Sequence, residues 1–455
     1  MVLGIILLTA PARADTPGSQ GTAVKVMTLP EAIAYARVHQ PAIRAALARI
    51  VAEEQSARIP RAQWLPSVGV TAQLFGATSN NSTGTYLGAP YVDVPRIGGT
   101  KAAPTGSMRP YPSTFVGAGI NQELFDFGRI AAQSAVADAV VDVARQRAAS
   151  DRLDVDFAVE EAYFAVHAAR AVLRASEEAR ERSRVHRDFA KAAVDAGLRS
   201  PVELTRAEAD LSRFDIGRER ARASVIIAES VFAATVGTTE AALEVPAEMP
   251  ATRDMPSMSE AIQQAAARDP RILEAEARLR AQEQTTRAIG AELRPNVALS
   301  SSISARAGGA PPNSGPTANQ DGWVPNIPNW DVGVVVSWPI FSGVTVARQR
   351  ASRAREDVQR EELALVRFQR TVAIQQAYVA ERIAQASLPA LERAVRAAQA
   401  NYEQVDARFR SGLSNGVELA DAEALRAQAE IELAQGRFEL ARSRIAFGRA
   451  IAEEP

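Results

Sequence analysis

Between Gly128 and Gly197 the chain runs for 68 residues without glycine or proline, and between Gly343 and Gly412 it does so for 68 more, with Pro389 the one interruption. Nothing in either run stops a helix, and at 1.5 Å per residue each would be about 100 Å long, several times the usual globular helix. Such a rod has no globular core to lie on and must pack against other rods. In the first run Val159, Ala162, Val166, Ala169 and Leu173 follow an alternating three-four spacing, while Phe157, Phe164, Ala168 and Ala171 form a neighbouring stripe. Polar Glu160, Glu161, His167 and Arg170 separate the two. Two seams suit a helix built into a wall with a neighbour on each side; one broad amphipathic face would give the same pattern.

The chain is also duplicated. Residues 29–71 align without a gap to 258–300, with 16 of 43 positions identical, among them Glu31-Ala32-Ile33 with Glu260-Ala261-Ile262, Pro41 with Pro270, and Pro66 with Pro295. Leu198-Arg199-Ser200-Pro201-Val202-Glu203-Leu204 after Gly197 corresponds to Leu413-Ser414-Asn415-Gly416-Val417-Glu418-Leu419 after Gly412. Leu124-Phe125 matches Ile340-Phe341 in between. This spacing excludes a solenoid of 20–50 residue units and predicts one large unit used twice, over 28–236 and 258–452, with a Gly- and Pro-containing linker at 237–257.

Four segments alternate with period two. Val68, Val70, Ala72 and Leu74 are interleaved with Ser67, Gly69, Thr71 and Gln73, and Val116, Ala118, Ile120 and Leu124 with Gly117, Gly119, Asn121 and Glu123. In the second half Val297, Leu299 and Ile303 oppose Asn296, Ala298, Ser300, Ser302 and Ser304, and Val332, Val334, Val336, Trp338 and Ile340 oppose Asp331, Gly333, Ser337 and Pro339. Strands of nine to eleven residues with one apolar and one small or polar face fit a tilted bilayer-spanning strand around a wet lumen. A soluble sandwich alternates equally well, but has no use for two long rods leaving the same sheet. Turn formers fill Gly76 to Pro112 and Ala307 to Asn329, so both connections read as long exposed loops. Val2 to Thr9 followed by Ala12-Arg13-Ala14 reads as a signal peptide over 1–14, cleaved after Ala14. No later stretch is apolar for the roughly 18 residues a spanning helix needs.

Charge and composition exclude other classes. A formal balance of -1 provides no basic field for nucleic acid, and the absence of cysteine removes disulfides, thiolate metal sites and lipidation on an N-terminal Cys. The three histidines, His39, His167 and His186, show no ligand spacing, and no phosphate loop or nucleophile elbow occurs. The expectation is no catalytic residue, no metal and no cofactor. Rival readings are a soluble periplasmic coiled-coil adaptor or scaffold, which would have no barrel, and a barrel enzyme, for which no site is found.

The duplicated Glu-Ala-Ile starts, the Leu-Phe-Asp-Phe-Gly and Ile-Phe-Ser-Gly strand-to-helix junctions and the paired Gly-Leu helix turns resemble the TolC-like outer-membrane efflux channel family over nearly the whole mature chain. Gly343-Val344 departs from the Gly-Gly or Gly-Arg often found at its junction. The resemblance implies an α+β membrane protein of the bacterial outer membrane. It would be a homotrimer whose protomers each give four strands to one twelve-stranded β-barrel, set in outer-membrane lipid and continued by a coiled-coil α-helical barrel in the periplasm. It implies an exit duct of a tripartite efflux or type I secretion system, passively passing substrate from an inner-membrane transporter reached through a periplasmic adaptor. Physical reasoning alone requires more than one chain, because four strands in lipid leave two unpaired edges.

Site expectations follow from both sources. Glu418 and Asp421 lie three apart on the first turn of a helix. The resemblance puts them, with Glu203 and Arg199, at a periplasmic entrance where an acidic ring favours cations; stabilisation of the helix N-terminus is the plain alternative. Glu203 is the counterpart of Glu418, whereas Arg206 stands where Asp421 does, and Arg199 is expected to pair with a carboxylate across helices. Gly197, Leu198, Gly412 and Leu413 form the turns at which an adaptor would dock. Trp64, Phe125, Trp330, Trp338 and Phe341 fall near strand ends and are expected at the membrane interface; packing under the barrel is the alternative.

Overall fold

The computed structural model describes residues 25–78, 108, 110–239, 243–246, 255–308, 324–325 and 327–453. The proposed signal peptide and most of both long loops lie outside these residues. The first half consists of β1 (Lys25–Val26), α1 (Leu29–His39), α2 (Pro41–Ser56), α3 (Arg58–Ala62), β2 (Ser67–Thr78), β3 (Pro110–Phe125), α4 (Arg129–Asp195) and α5 (Pro201–Val236). The second consists of β4 (Leu243–Glu244), α6 (Met258–Arg268), α7 (Pro270–Ala291), β5 (Asn296–Gly308), β6 (Ile327–Ser337), α8 (Gly343–Arg410) and α9 (Gly416–Ala450).

Local chemistry explains the repeated motifs. Glu31 accepts from the Thr28 backbone N–H at 2.9 Å and Glu260 from the Ser257 N–H at 3.0 Å, so each Glu-Ala-Ile closes a capping box on its short helix. Pro41 and Pro270 occupy first positions of α2 and α7, where no N–H is needed. At the first strand-to-helix junction buried Asp126 accepts from the N–H groups of Gly128, at 2.9 Å, and Ile130, while Gly128 takes φ +90°. At the second, Ser342 accepts from Thr345 N–H at 3.2 Å and α8 starts directly at Gly343. A serine cap thus replaces the aspartate turn.

The four long strands form one antiparallel sheet in the order β2-β3-β5-β6, with β2 and β6 as open edges. Its register sets Val70 opposite Ala118, Ala118 opposite Ile303 and Ile303 opposite Trp330, so the apolar sets expected from period two share a face. Val70, Ile303 and Trp330 are exposed there, whereas Ser302 and Ser304 on the other face are buried. The strands have 12, 16, 13 and 11 residues, longer than expected in three cases, because pairing continues past the apolar stretch toward the loop ends. The sixth strand, by contrast, stops at Ser337, short of Trp338, where Pro339 offers no donor. The longer β3 brings in Phe115, which lies on the face expected to be small or polar; it is buried, folded over Gly117 at 3.1 Å from the position a Cβ would take.

In α4 the two stripes have separate partners. Val159, Ala162 and Val166 pack with Phe232 and Val236 of α5 and with Ile33 and Ala36 of α1. Phe157 and Phe164 pack with Ala441 and Ile445 of α9. Helix α8 packs on α9 and α7 and runs unbroken through Pro389. Two described parts of the segment between the halves are tied down: Gly237 ends α5 at φ +94°, and β4 pairs in parallel with β1. Asp156, 1% exposed, takes a two-pronged contact from Arg37 at 2.7 and 3.0 Å, fastening α1 to α4.

Candidate functional site

At the end of the rods farthest from the sheet, α4 turns into α5 and α8 into α9 with the same hydrogen bonds. Leu198 N–H reaches Ala193 O at 2.9 Å and Gly197 N–H reaches Val194 O at 2.9 Å; Leu413 and Gly412 make the equivalent bonds to Arg408 and Phe409 at 2.8 and 3.1 Å. Gly197 and Gly412 take φ +69° and +78°, which a side chain would strain. The duplicated glycines are therefore helix stops. Leu198 and Leu413, 80% and 72% exposed, have no packing role in the protomer.

Phe409 fills the space beneath the turns and is 2% exposed. The rings of His186 and Phe189 meet it edge-on at 5.0 and 5.5 Å, and the Arg199 guanidinium lies 4.1 Å from its centroid. Arg199 donates to Glu203 at 2.7 Å within its own segment and crosses to the Phe409 carbonyl at 3.1 Å. Its cross-helix partner is thus a carbonyl and a ring, and its carboxylate partner is the local one. Burial, followed by the influence of Asp210 against it, leaves His186 with its pKa below the ordinary imidazole value.

Glu418 and Asp421 are both exposed on the first turns of α9. The helix cap is supplied by Asn415, whose side chain accepts from the N–H groups of Val417 and Glu418 at 3.0 Å each. Capping is therefore done without either carboxylate. Glu418 accepts from Ser414 Oγ at 2.6 Å, and Asp421 has no ion-pair partner among the described residues. Two residues beyond Asp421, Glu423 is 5% exposed and meets Arg182 of α4 at 2.9 Å; Arg182 also reaches Glu430 at 3.1 Å, which Arg426 holds at 2.9 Å. This ion cluster fastens α4 to α9 just above the tip. In the sequence Glu423 sits in an Ala-Glu-Ala that looks like any solvated helix face, so only the register between helices reveals it.

At the sheet end Trp64, Phe125, Trp330, Trp338 and Phe341 are 39%, 54%, 73%, 62% and 79% exposed, which removes the packing alternative within the protomer. Trp64, Phe125, Trp338 and Phe341 lie at the helix-proximal strand ends and Trp330 toward the loop end of β6. Trp330 and Trp338 are separated by about 26 Å of extended chain, which a strand tilt of about 40° shortens to roughly 20 Å along the membrane normal, short of the roughly 25 Å height of an outer-membrane apolar band.

Residues 32–238 and 261–453 match the family described as outer membrane efflux protein. The chain belongs to that family. Membership in the outer membrane efflux protein family makes it an outer-membrane efflux channel, with the sheet in the membrane and the helices in the periplasm. The family is one of channels rather than enzymes. The fold agrees: the outer-membrane channel OprN is 22% identical with a TM-score of 0.69, over 94% of this chain and 90% of that one. The outer membrane protein VceC of Vibrio cholerae is 18% identical with a TM-score of 0.70, over 93% and 95%. The outer membrane channel MtrE of Neisseria gonorrhoeae, in its open state, is 19% identical with a TM-score of 0.67, over 93% and 88%. No curated protein matches by sequence. The soluble adaptor or scaffold reading falls with this membership. Among the described residues no group of three or more His, Asp or Glu could hold a metal ion, and no helix is long and apolar enough to cross a membrane.

Proposed function

We propose that three copies close the sheet into a twelve-stranded barrel, continued by a cylinder of the long helices, as the passive exit duct of a tripartite efflux or type I secretion system. The observation that carries this reading is the sheet itself, apolar outward, with β2 and β6 both unpaired. In hydrocarbon each unpaired backbone group costs several kcal/mol, and pairing β2 of one copy with β6 of the next removes every edge. Substrate enters from an inner-membrane transporter through a periplasmic adaptor that grips exposed Leu198 and Leu413 at the Gly197 and Gly412 turns. Glu418 and Asp421, repeated around the three-fold axis, form an acidic ring at the entrance, with Arg199 and Glu203 bracing the turn beside it. The duct carries no energy source, so the transporter drives export. Light scattering in mild detergent together with planar-bilayer recording tests the proposal: the expected result is a trimer that conducts, and a folded monomer, or a trimer without conductance, overturns it.

A further inference from the structure

The sheet lies in the membrane, so the first turns of the long helices beyond it run at the level of the periplasmic headgroups. Charge at that level is unevenly shared. Over the thirteen residues that open α8, 343–355, the chain carries Arg348, Arg350, Arg353 and Arg355 and no acid. The thirteen that open α4, 129–141, hold one arginine and one aspartate, and the thirteen that lead into β5, 283–295, hold two arginines and two glutamates. Two rods of 67 and 68 residues thus differ in charge where they leave the sheet.

Neighbouring acids do not cancel the excess. Across 54–66, 123–141, 283–295 and 343–355, the segments at this level, nine arginines stand against six acids. Most of the acids are engaged: Asp138 by Arg61 at 2.7 Å, Glu123 by Arg129 at 3.5 Å, Glu54 by Arg145 at 2.8 Å, and Asp126 by backbone N–H groups. In α8 only Arg348 has a carboxylate nearby, Glu292 at 3.8 Å; Arg350, Arg353 and Arg355 are exposed and make no ion pair among the described residues. Asp357, one turn farther from the sheet, is taken by Arg360. The arginines leave the helix about 8–18 Å beyond Gly343, within the headgroup layer and about one Debye length past it. Helical spacing sends Arg348 and Arg355 to one flank and Arg350 and Arg353 to the other, so whichever flank of the wall meets lipid presents two. Toward the sheet, Ile340, Phe341 and Val344 are exposed apolar neighbours of this band.

We infer that the base of α8 is a surface for anionic phospholipid, whose headgroups the arginines gather from the periplasmic leaflet while Ile340, Phe341 and Val344 meet the glycerol and upper acyl chain. It depends on the sheet lying in the membrane, and neither on trimer closure nor on conduction. Electron spin resonance of the full chain in phosphatidylcholine vesicles, with trace spin-labelled phosphatidylglycerol or phosphatidylcholine, reads how strongly each lipid is held at the protein surface. Phosphatidylglycerol should be held about fivefold more strongly at low salt, and the preference should fade in 1 M NaCl, where the Debye length is about 3 Å. Replacing Arg348, Arg350, Arg353 and Arg355 together by Gln should bring the ratio close to one with an unchanged melting curve. Removing the same charge from Arg382, Arg393, Arg396 and Arg408, about 60–100 Å along α8 from the sheet, should leave the ratio as it was. No preference in the unaltered protein, a preference that survives 1 M NaCl, or equal loss in the two fourfold variants overturns the assignment.

Discussion

Arg182 and Glu423 show how much one side chain can fasten near the tip. Burial opposes the charge of Arg182, but attraction to Glu423 and Glu430 outweighs it and holds its pKa above the ordinary guanidinium value. Burial likewise raises the Glu423 carboxyl's pKa, against the pull of Arg182. Removing the arginine strands a buried carboxylate, a change that costs about 3–5 kcal/mol, whereas Glu423→Gln keeps the shape, discards the buried charge and leaves Arg182 its bond to Glu430. An acid with a raised folded pKa carries its ionisation cost above that value and loses the cost as pH falls toward the ordinary 4.5. Thermal melts should therefore show Arg182→Ala much less stable than Glu423→Gln at pH 8, with the Arg182→Ala deficit shrinking toward pH 5. Equal losses at every pH would remove the stranded-charge account. Of the tip, the turn glycines and the acidic pair of α9 were legible, because helix spacing puts them on one turn. Phe409, Arg182 and Glu423 were not, since their burial is decided by which helix lies opposite, and His167 was read as a polar divider although it is buried.

Strands and helices were legible to different depths. Period two fixed the facing of β2, β3, β5 and β6, because a pleated strand leaves no third option, and the pairing register puts the same residues together. Strand length was misjudged where pairing outlasts alternation, which is how Phe115 was missed. The aspartate and serine junction caps were invisible as caps, since each depends on a backbone turn that no periodicity encodes. Facing has a direct test. Val334 is 61% exposed on the apolar side, while a Cβ at Gly333 would meet nothing within 4 Å on the other. Val334→Arg should destabilise the membrane-embedded protein by about 2–4 kcal/mol near mid-bilayer, and Gly333→Ser should cost far less. Urea unfolding from lipid vesicles measures both, and similar losses would mean that the faces are interchanged.

For the whole molecule, the two ends make separable demands. At the turns proposed for docking, a Leu198→Asp and Leu413→Asp double variant should assemble at normal yield and fail to confer drug resistance, since both side chains are exposed and hold nothing in the protomer; full resistance would move the adaptor elsewhere. The entrance is a question of charge. Asn415 caps α9, so neither Glu418 nor Asp421 is needed for the cap, and the dipole of the helix N-terminus is the structural duty left to Glu418. In the proposed trimer three copies would bring six carboxylates to one constriction, where an acidic ring concentrates cations and repels anions. Arg199 does a different job: by holding the Phe409 carbonyl and ring from the α4–α5 turn, it joins the two hairpins of one protomer, and in the proposed duct an entrance at this end would open by separating hairpins. Glu418→Ala with Asp421→Ala should therefore reduce cation selectivity and block by multivalent cations in planar bilayers without changing the melting curve. Arg199→Ala should raise conductance while leaving selectivity in place. If the double variant keeps full cation preference, the filter lies elsewhere in the duct; if Arg199→Ala alters selectivity but not conductance, its contacts with Phe409 do not restrain the entrance.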